Sequence, residues 1–238
     1  MIIRGTTRVA AVIGWPVEHS RSPAMLNAAF AAADIDAVLV PLAIAPADLG
    51  PALRGLAAAG FMGASITAPH KAATAAAADR VEGLAAVLGV ANCVVFDGGK
   101  VVGHNTDAPG FVDALIERGW APRGRTAVVL GTGGAARAVT AGLFEAGATI
   151  VVVSRNPTNP KPWAPAIAPW TEEAMTAVMR TADLVVDCTD AALDPARDGA
   201  MADTLPLAAL PSHALVASLV YHRTAAILER AAARDLAI

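Results

Sequence analysis

The stretch Val128-Val129-Leu130-Gly131-Thr132-Gly133-Gly134-Ala135-Ala136 decides the fold. An apolar, β-branched run meets a glycine-rich turn, and an alanine-rich segment follows it as far as Glu145. That order is strand, tight turn, helix, and it fits G-x-G-x-x-A. Gly131 permits the turn, Gly133 lets a pyrophosphate approach the backbone, and Ala136 is small enough for close packing of helix on strand. The free N–H groups of the Thr132, Gly133, Gly134, Ala135 segment open the helix, where the dipole favours an anion. Taken alone, the motif reads equally well as a plain βα turn. The flanking elements, strand Ala127–Leu130, helix Ala135–Glu145 and strand Thr149–Val153, come in the order that a dinucleotide site requires.

The end of that second strand separates two cofactors. An NAD site places an Asp or Glu about 20 residues beyond the turn to hold the ribose 2′-hydroxyl. Here the sequence is Ser154-Arg155-Asn156, without a carboxylate. A guanidinium can grip a 2′-phosphate with two hydrogen bonds, so Arg155 points to NADP. The bland alternative is a solvated surface arginine. Further strands are expected at Leu184–Cys188 and Leu215–Leu219. The segment Asn156–Trp170 has four prolines after Pro157 and reads as an irregular loop.

Working towards the N-terminus, Gly119–Gly124 is turn-rich and a natural break, preceded by a helix over Thr106–Arg118. Earlier strands are expected at Val9–Ile13, Ala37–Leu42, Gly63–Ile66, Cys93–Phe96 and Lys100–Gly103. The last two are joined through Asp97-Gly98-Gly99, a hairpin signal. Helices are expected at Ser22–Ala33, Ala47–Ala58, Pro69–Ala78 and Val81–Leu88. The fold class is therefore α/β, with a mixed-sheet N-terminal domain over residues 1–105 and a Rossmann-like domain over 106–238.

The 238 residues are 55% hydrophobic, 16% charged and 4% aromatic, with a net charge of -3. No basic block or aromatic platform is present, which argues against nucleic acid. Cys93 and Cys188 form no disulfide framework and read as buried thiols in a reducing compartment. There is neither a signal-peptide pattern nor an apolar run of roughly 18–20 residues. A cytoplasmic, monomeric or homodimeric protein acting on a small molecule is expected, with no membrane partner. His19, His70 and His104 lack metal-ligand spacing, so no metal is assigned.

Lys71, close behind Pro69, is expected in the first turn of its helix, where a cation opposes the dipole by roughly 0.3–1 kcal/mol. A residue placed against its local preference is a functional candidate, although a flexible surface lysine is the plainer reading. Asp107 is either a helix cap ahead of Pro109 or a catalytic carboxylate. Ser22, before Pro23, suits an N-cap, whereas Ser20 has no evident structural task.

Taken together these segments resemble the shikimate dehydrogenase family, in the family's order along nearly the whole chain. Gly14–Pro23 looks like G-x-P-[IV]-x-H-S-x-S-P, which implies that Ser20 and Ser22 bind a substrate carboxylate. Gly63–Lys71 looks like G-x-N-V-T-x-P-x-K, implying Thr67 for substrate and Lys71 as the catalytic lysine. Asn92 keeps a substrate-binding position of A-[VI]-N-T. Gly103–Asp107 matches G-x-N-T-D, making Asp107 the catalytic partner of Lys71. Gly131–Arg137 matches G-x-G-G-x-x-R, and Ser154-Arg155-Asn156 resembles the N-R-T reader of the 2′-phosphate. Leu219-Val220-Tyr221 looks like the D-x-x-Y segment, with Tyr221 near substrate; Thr189 and Leu219 fall on the cofactor side.

The resemblance implies an oxidoreductase of aromatic amino acid biosynthesis, the chorismate pathway. Its reaction is the NADP-dependent, reversible reduction of 3-dehydroshikimate to shikimate. A dehydrogenase for quinate or an aminoshikimate-type acid is one alternative, and a non-catalytic NADP-binding protein is another. There are departures. Ser65, Ser154 and Ser218 replace the usual Asn, Asn and Asp, and Asp187-Cys188-Thr189 stands for N-A-T. The family's G-x-x-M-L-x-x-Q-A segment is not matched before Ile238.

Overall fold

The computed structural model describes residues 2–158, 162–221 and 223–238. The chain divides into two compact units, Met1–Thr106 and Asp107–Ile238.

The first unit is built on a six-stranded sheet. Strand β1 (Arg8–Gly14) lies one in from the edge and pairs in parallel with β2 (Ala37–Ala43) and β3 (Gly63–Ile66). The two-residue strand β4 (Arg80–Val81) lies at the far edge, parallel to β6 (Lys100–His104). Between them β5 (Cys93–Asp97) runs antiparallel to both β3 and β6, giving the order β2-β1-β3-β5-β6-β4. The β5–β6 turn holds Gly98 and Gly99 at φ 55° and 79°, the doubly left-handed turn of tight hairpins. Because side chains alternate along a strand, β1 feeds two cores. Ala11 and Ile13 join Leu49 and Leu53 of α2 (Leu49–Ala58), while Ala10 and Val12 face Leu39 with Leu26 and Phe30 of α1 (Ser22–Ala32).

Helix α3 (Lys71–Ala77) begins at Lys71, later than Pro69, which lies outside the helix after a cis peptide bond. The helix expected over Val81–Leu88 is replaced by β4 and the short α4 (Leu84–Leu88). Gly83 between them, at φ 55° and ψ -136°, is in a conformation that no helix contains.

The second unit is a five-stranded, wholly parallel sheet. It comprises β7 (Thr126–Leu130), β8 (Thr149–Ser154), β9 (Ile167–Pro169), β10 (Leu184–Asp187) and β11 (Leu215–Ser218) in the order β11-β10-β7-β8-β9. Strands sandwiched between helix layers read as continuous apolar runs, and here both faces are covered. Ala127, Val129, Ile150 and Val186 pack with Val112 of α5 (Asp107–Glu117) and Val139 and Leu143 of α6 (Gly134–Glu145). On the other face Val128, Leu130, Val185 and Val216 meet Met175 and Met179 of α7 (Glu172–Met179), Ala202 of α8 (Pro195–Asp203) and Ile227 of α9 (Ala226–Ala232).

Two sequence expectations change here. The proline-rich segment contains the edge strand β9, tolerated because Pro169 sits at its end. Gly119–Gly124 is a turn inside the second unit, since α5 packs on α6 ahead of it. At that helix contact a Cβ on Gly142 would lie 2.6 Å from the Ala108 carbonyl oxygen. Glycine at that position is what lets the two helices touch.

Candidate functional site

In the first unit the candidate residues gather where β1, β3 and β6 end and β5 begins. Thr67 N–H donates to the Ile13 carbonyl and Trp15 N–H to Ala68, closing the loops after β3 and β1 on each other. A Cβ on Gly14 would stand 2.5 Å from the Thr67 methyl, so Gly14 makes room for that threonine. Lys71 is half-buried at the first position of α3, and its carbonyl accepts from Ala91 N–H. The preceding His70 is buried, 1% exposed, with Nε2 2.8 Å from the Ile44 carbonyl oxygen. That contact ties the start of α3 to the end of β2.

The serines differ from expectation. Ser22 is the first residue of α1 and Arg21 its cap position, with no side-chain capping bond. Ser20 takes a structural part instead: its Oγ accepts from Ser22 N–H at 3.3 Å. The amide of Asn92 accepts from Thr106 N–H at 2.7 Å and donates to Thr106 Oγ1 at 2.9 Å. Asn92 thus fixes the residue immediately ahead of Asp107.

In the second unit, Asp107 opens α5 and is half-buried. Strand order reverses at β7, whose neighbours β8 and β10 follow in opposite directions, so the crevice at its carboxyl end is where open α/β sheets bind ligands. Gly131 enters the turn at φ 103°, with Cys188 O, Cys188 C and Thr189 Cγ2 at 3.3–3.4 Å from a Cβ placed there. Gly133 is the cap of α6 and a Cβ on it would meet nothing within 4 Å. Thr132, Gly134 and Ala135 are half-buried around it, and Ala136 is fully buried.

At the end of β8, Ser154 is buried and its Oγ accepts from Asn156 N–H at 3.1 Å, which fixes the backbone on both sides of the exposed Arg155. Leu219 N–H donates to the Asp187 carbonyl, and Tyr221 is 65% exposed. No group of three or more His, Cys, Asp or Glu capable of holding a metal occurs among the described residues. No helix there is long and apolar enough to cross a membrane.

In sequence the Asp187 carboxyl shows only as a replacement of the family's usual Asn, with nothing to mark it as buried. It is 1% exposed, and burial pushes it above its ordinary range, against two hydrogen bonds from Thr189. Those bonds, from Thr189 N–H at 2.9 Å and Thr189 Oγ1 at 2.8 Å, both end on Oδ1. An aspartate at a strand end is an ordinary sight in sequence; its burial is a property of the fold.

Residues 12–94 match the family profile described as "Shikimate dehydrogenase substrate binding domain", and residues 119–197 match one described as "Putative NAD(P)-binding". The chain is 39% identical over 231 residues to shikimate dehydrogenase (NADP(+)) of Symbiobacterium thermophilum, covering 92% of this chain and 78% of that one. The counterpart in Geobacter metallireducens is 46% identical over 155 residues, 65% of this chain and about half, 54%, of the relative. Among solved structures, shikimate 5-dehydrogenase of Thermus thermophilus, in complex with NADP(H) and shikimate, superposes with a TM-score of 0.84. It is 33% identical, over 97% of this chain and 85% of that one. On these matches, which join the motifs to the two sheets that carry them, the chain belongs to the shikimate dehydrogenase family.

Proposed function

We propose that this protein catalyses the NADP-dependent, reversible reduction of 3-dehydroshikimate to shikimate, with residues 1–105 serving the substrate and 106–238 the cofactor. The observation that carries the reading is the placement of the motifs: in each unit they collect at strand ends on one edge of the sheet. NADP fits the second unit on three counts. The space at Gly133 is open, no carboxylate ends β8, and Arg155 is exposed where a 2′-phosphate would be read. Gly131, Thr132, Gly133, Gly134 and Ala135 would hold the pyrophosphate, Ser154 and Arg155 the 2′-phosphate, and Thr189 and Leu219 the nicotinamide side. When bound, the cofactor supplies or accepts the hydride.

The residues of the chain do the rest. Ser20, Ser22, Thr67, Asn92 and Tyr221 orient the ring, so that binding energy is spent on alignment. Lys71 gives or takes the proton of the reacting oxygen and, as a cation, stabilises negative charge developing there. Asp107 contacts a substrate hydroxyl. Cys93 and Cys188, neither of them in a disulfide, suit the cytoplasm, where we place the enzyme.

The test is NADPH formation from NADP and shikimate, with NAD run in parallel. Lys71→Ala should lower kcat at least a hundredfold with little change in KM, a general acid–base effect. Unchanged kcat in that variant would remove Lys71 from the chemistry. Ser65, half-buried on β3 where the family motif has Asn, supports a second reading in which quinate or an amino analogue is preferred. Comparing kcat/KM across the three substrates decides between them.

A further inference from the structure

Asp187 is a buried carboxyl that the reaction above leaves idle. It ends β10, in register with Leu130 of β7 on one side and Ser218 of β11 on the other. Leu130 is the residue before Gly131, and adjacent strands are about 4.8 Å apart. Asp187 therefore stands across the switch-point crevice from the glycine turn.

Its two oxygens differ. Oδ1 accepts both bonds from Thr189, whose own Oγ1 accepts from Ala191 N–H at 3.3 Å. Oδ2 is buried with no hydrogen-bond partner among the described residues. The segment that Oδ1 holds, Cys188-Thr189, is also the wall nearest the missing side chain of Gly131. One residue thus links the carboxyl to the floor of the turn.

The surrounding charges are accounted for. Asp198 of α8 is fully buried and pairs with Arg223 at 2.8 Å, while Asp190 pairs with Arg197 at 3.0 Å. Both aspartates add to the effect of burial in pushing the Asp187 carboxyl upward. The neighbouring strands offer only Leu130 and Ser218 at the paired positions.

We propose that Asp187 couples NADP(H) binding to the uptake of one proton, because an anionic dinucleotide at the Gly131–Gly134 turn favours the neutral carboxyl on the strand beside it. A lone pair of Oδ2 takes the proton from solvent, and no other bond changes. The ionised form has a buried, unpartnered oxygen facing added negative charge in a region that salt screens weakly. The neutral form removes that repulsion and leaves Oδ1 free to keep both Thr189 bonds. Linkage makes the effect reciprocal: protonation of Asp187 tightens NADP(H) binding by the factor by which binding favours protonation. Asp187→Asn retains the Oδ1 acceptor and carries no charge at any pH. The inference rests on the NADP reading above.

The experiment is calorimetric titration of the full chain with NADPH at a series of pH values from mildly acid to mildly alkaline, each in two buffers of different protonation enthalpy. The difference in heat counts protons taken up. The 2′-phosphate, which titrates near pH 6, contributes alike to both proteins. The parent should take up a substantial fraction of a proton, and Asp187→Asn should take up clearly less. Across a pH series, Kd of the parent should weaken with rising pH more steeply than that of the variant, by up to tenfold per pH unit. Equal proton counts and equal pH slopes would overturn the inference alone. A parent that takes up no proton would do the same without reference to the variant. If neither protein binds NADPH, the cofactor reading fails, and this inference fails with it.

Discussion

Gly131 and Gly133 of the nucleotide turn look alike in sequence and do different physical work. Gly131 has φ 103°, a region that side chains avoid, and a Cβ there would press on the Cys188 carbonyl at 3.3 Å. Gly133 has φ -74°, which any residue adopts, and a Cβ there enters open space. Gly131→Ala should therefore destabilise the fold by about 1–3 kcal/mol, the usual cost of a side chain forced into such a conformation. Gly133→Ala should melt at or slightly above the parent temperature, since it removes unfolded-state freedom without strain. Yet it should weaken NADPH binding at least tenfold, because the methyl occupies the path of the pyrophosphate. Thermal melts paired with fluorescence titration check both. A Gly133→Ala protein that binds NADPH like the parent would show that the cofactor does not approach that backbone.

At the scale of elements, α5 carries Asp107 and is seated on α6 through Gly142. Glycine inside a helix costs roughly 0.5–1 kcal/mol relative to alanine, so its presence in the middle of α6 reflects the close approach of Ala108. Gly142→Ala forces the first turn of α5 outward. It should cost about 1–3 kcal/mol of stability and lower kcat while leaving the glycine turn, and with it the Kd for NADPH, close to the parent value. Equal losses in kcat and in NADPH affinity would mean that α6 itself had moved.

This element scale is also where sequence is most and least informative. The runs Ala127–Leu130, Thr149–Val153 and Leu184–Cys188 are legible because strands covered on both faces are mostly apolar, with Asp187 the charged exception. The Gly98-Gly99 hairpin is legible because few residues tolerate two positive φ angles. Helices α7 and α8 escape the sequence reading despite local signals. Thr171 caps α7 through Ala174 N–H ahead of Glu172 and Glu173, and Asp194 caps α8 before Pro195. Strand β9 is hidden among prolines, and α3 is expected too early because Pro69 resembles a first helical residue. The candidate site residues are visible as motifs. The hydrogen bonds that occupy Ser20 and Asn92 are not, since they depend on which segments the sheet brings together.

At the scale of the molecule, two aspartates at opposite ends of β10 are displaced from the ordinary carboxylate range among the described residues, and they contribute to the response of stability to pH with opposite signs. Asp183 precedes the strand and accepts from Thr126 N–H at 2.8 Å; that bond, helped by His213 and Arg125 and opposed by burial, holds its carboxyl below the ordinary range. Between the folded and unfolded pKa values the unfolded chain then binds more protons. The stability Asp183 supplies is present above its unfolded pKa and is lost as pH falls through the folded one. Asp187, raised by burial, behaves in reverse: the folded chain binds more protons, and stability is lost as pH rises through the folded pKa. Asp183→Asn should therefore lower Tm at neutral pH, by about 2–4 °C for each kcal/mol that the charged hydrogen bond contributes, with the deficit shrinking towards acid. Asp187→Asn should gain on the parent as pH rises, whatever its offset at acid pH, because the parent alone must ionise a buried group. Melting curves of the three proteins without cofactor, from acid to mildly alkaline pH, distinguish these trends. Parallel curves for Asp187→Asn and the parent would mean that the carboxyl ionises at no cost to the fold, and that its second oxygen is solvated as readily in the folded chain as in the unfolded one.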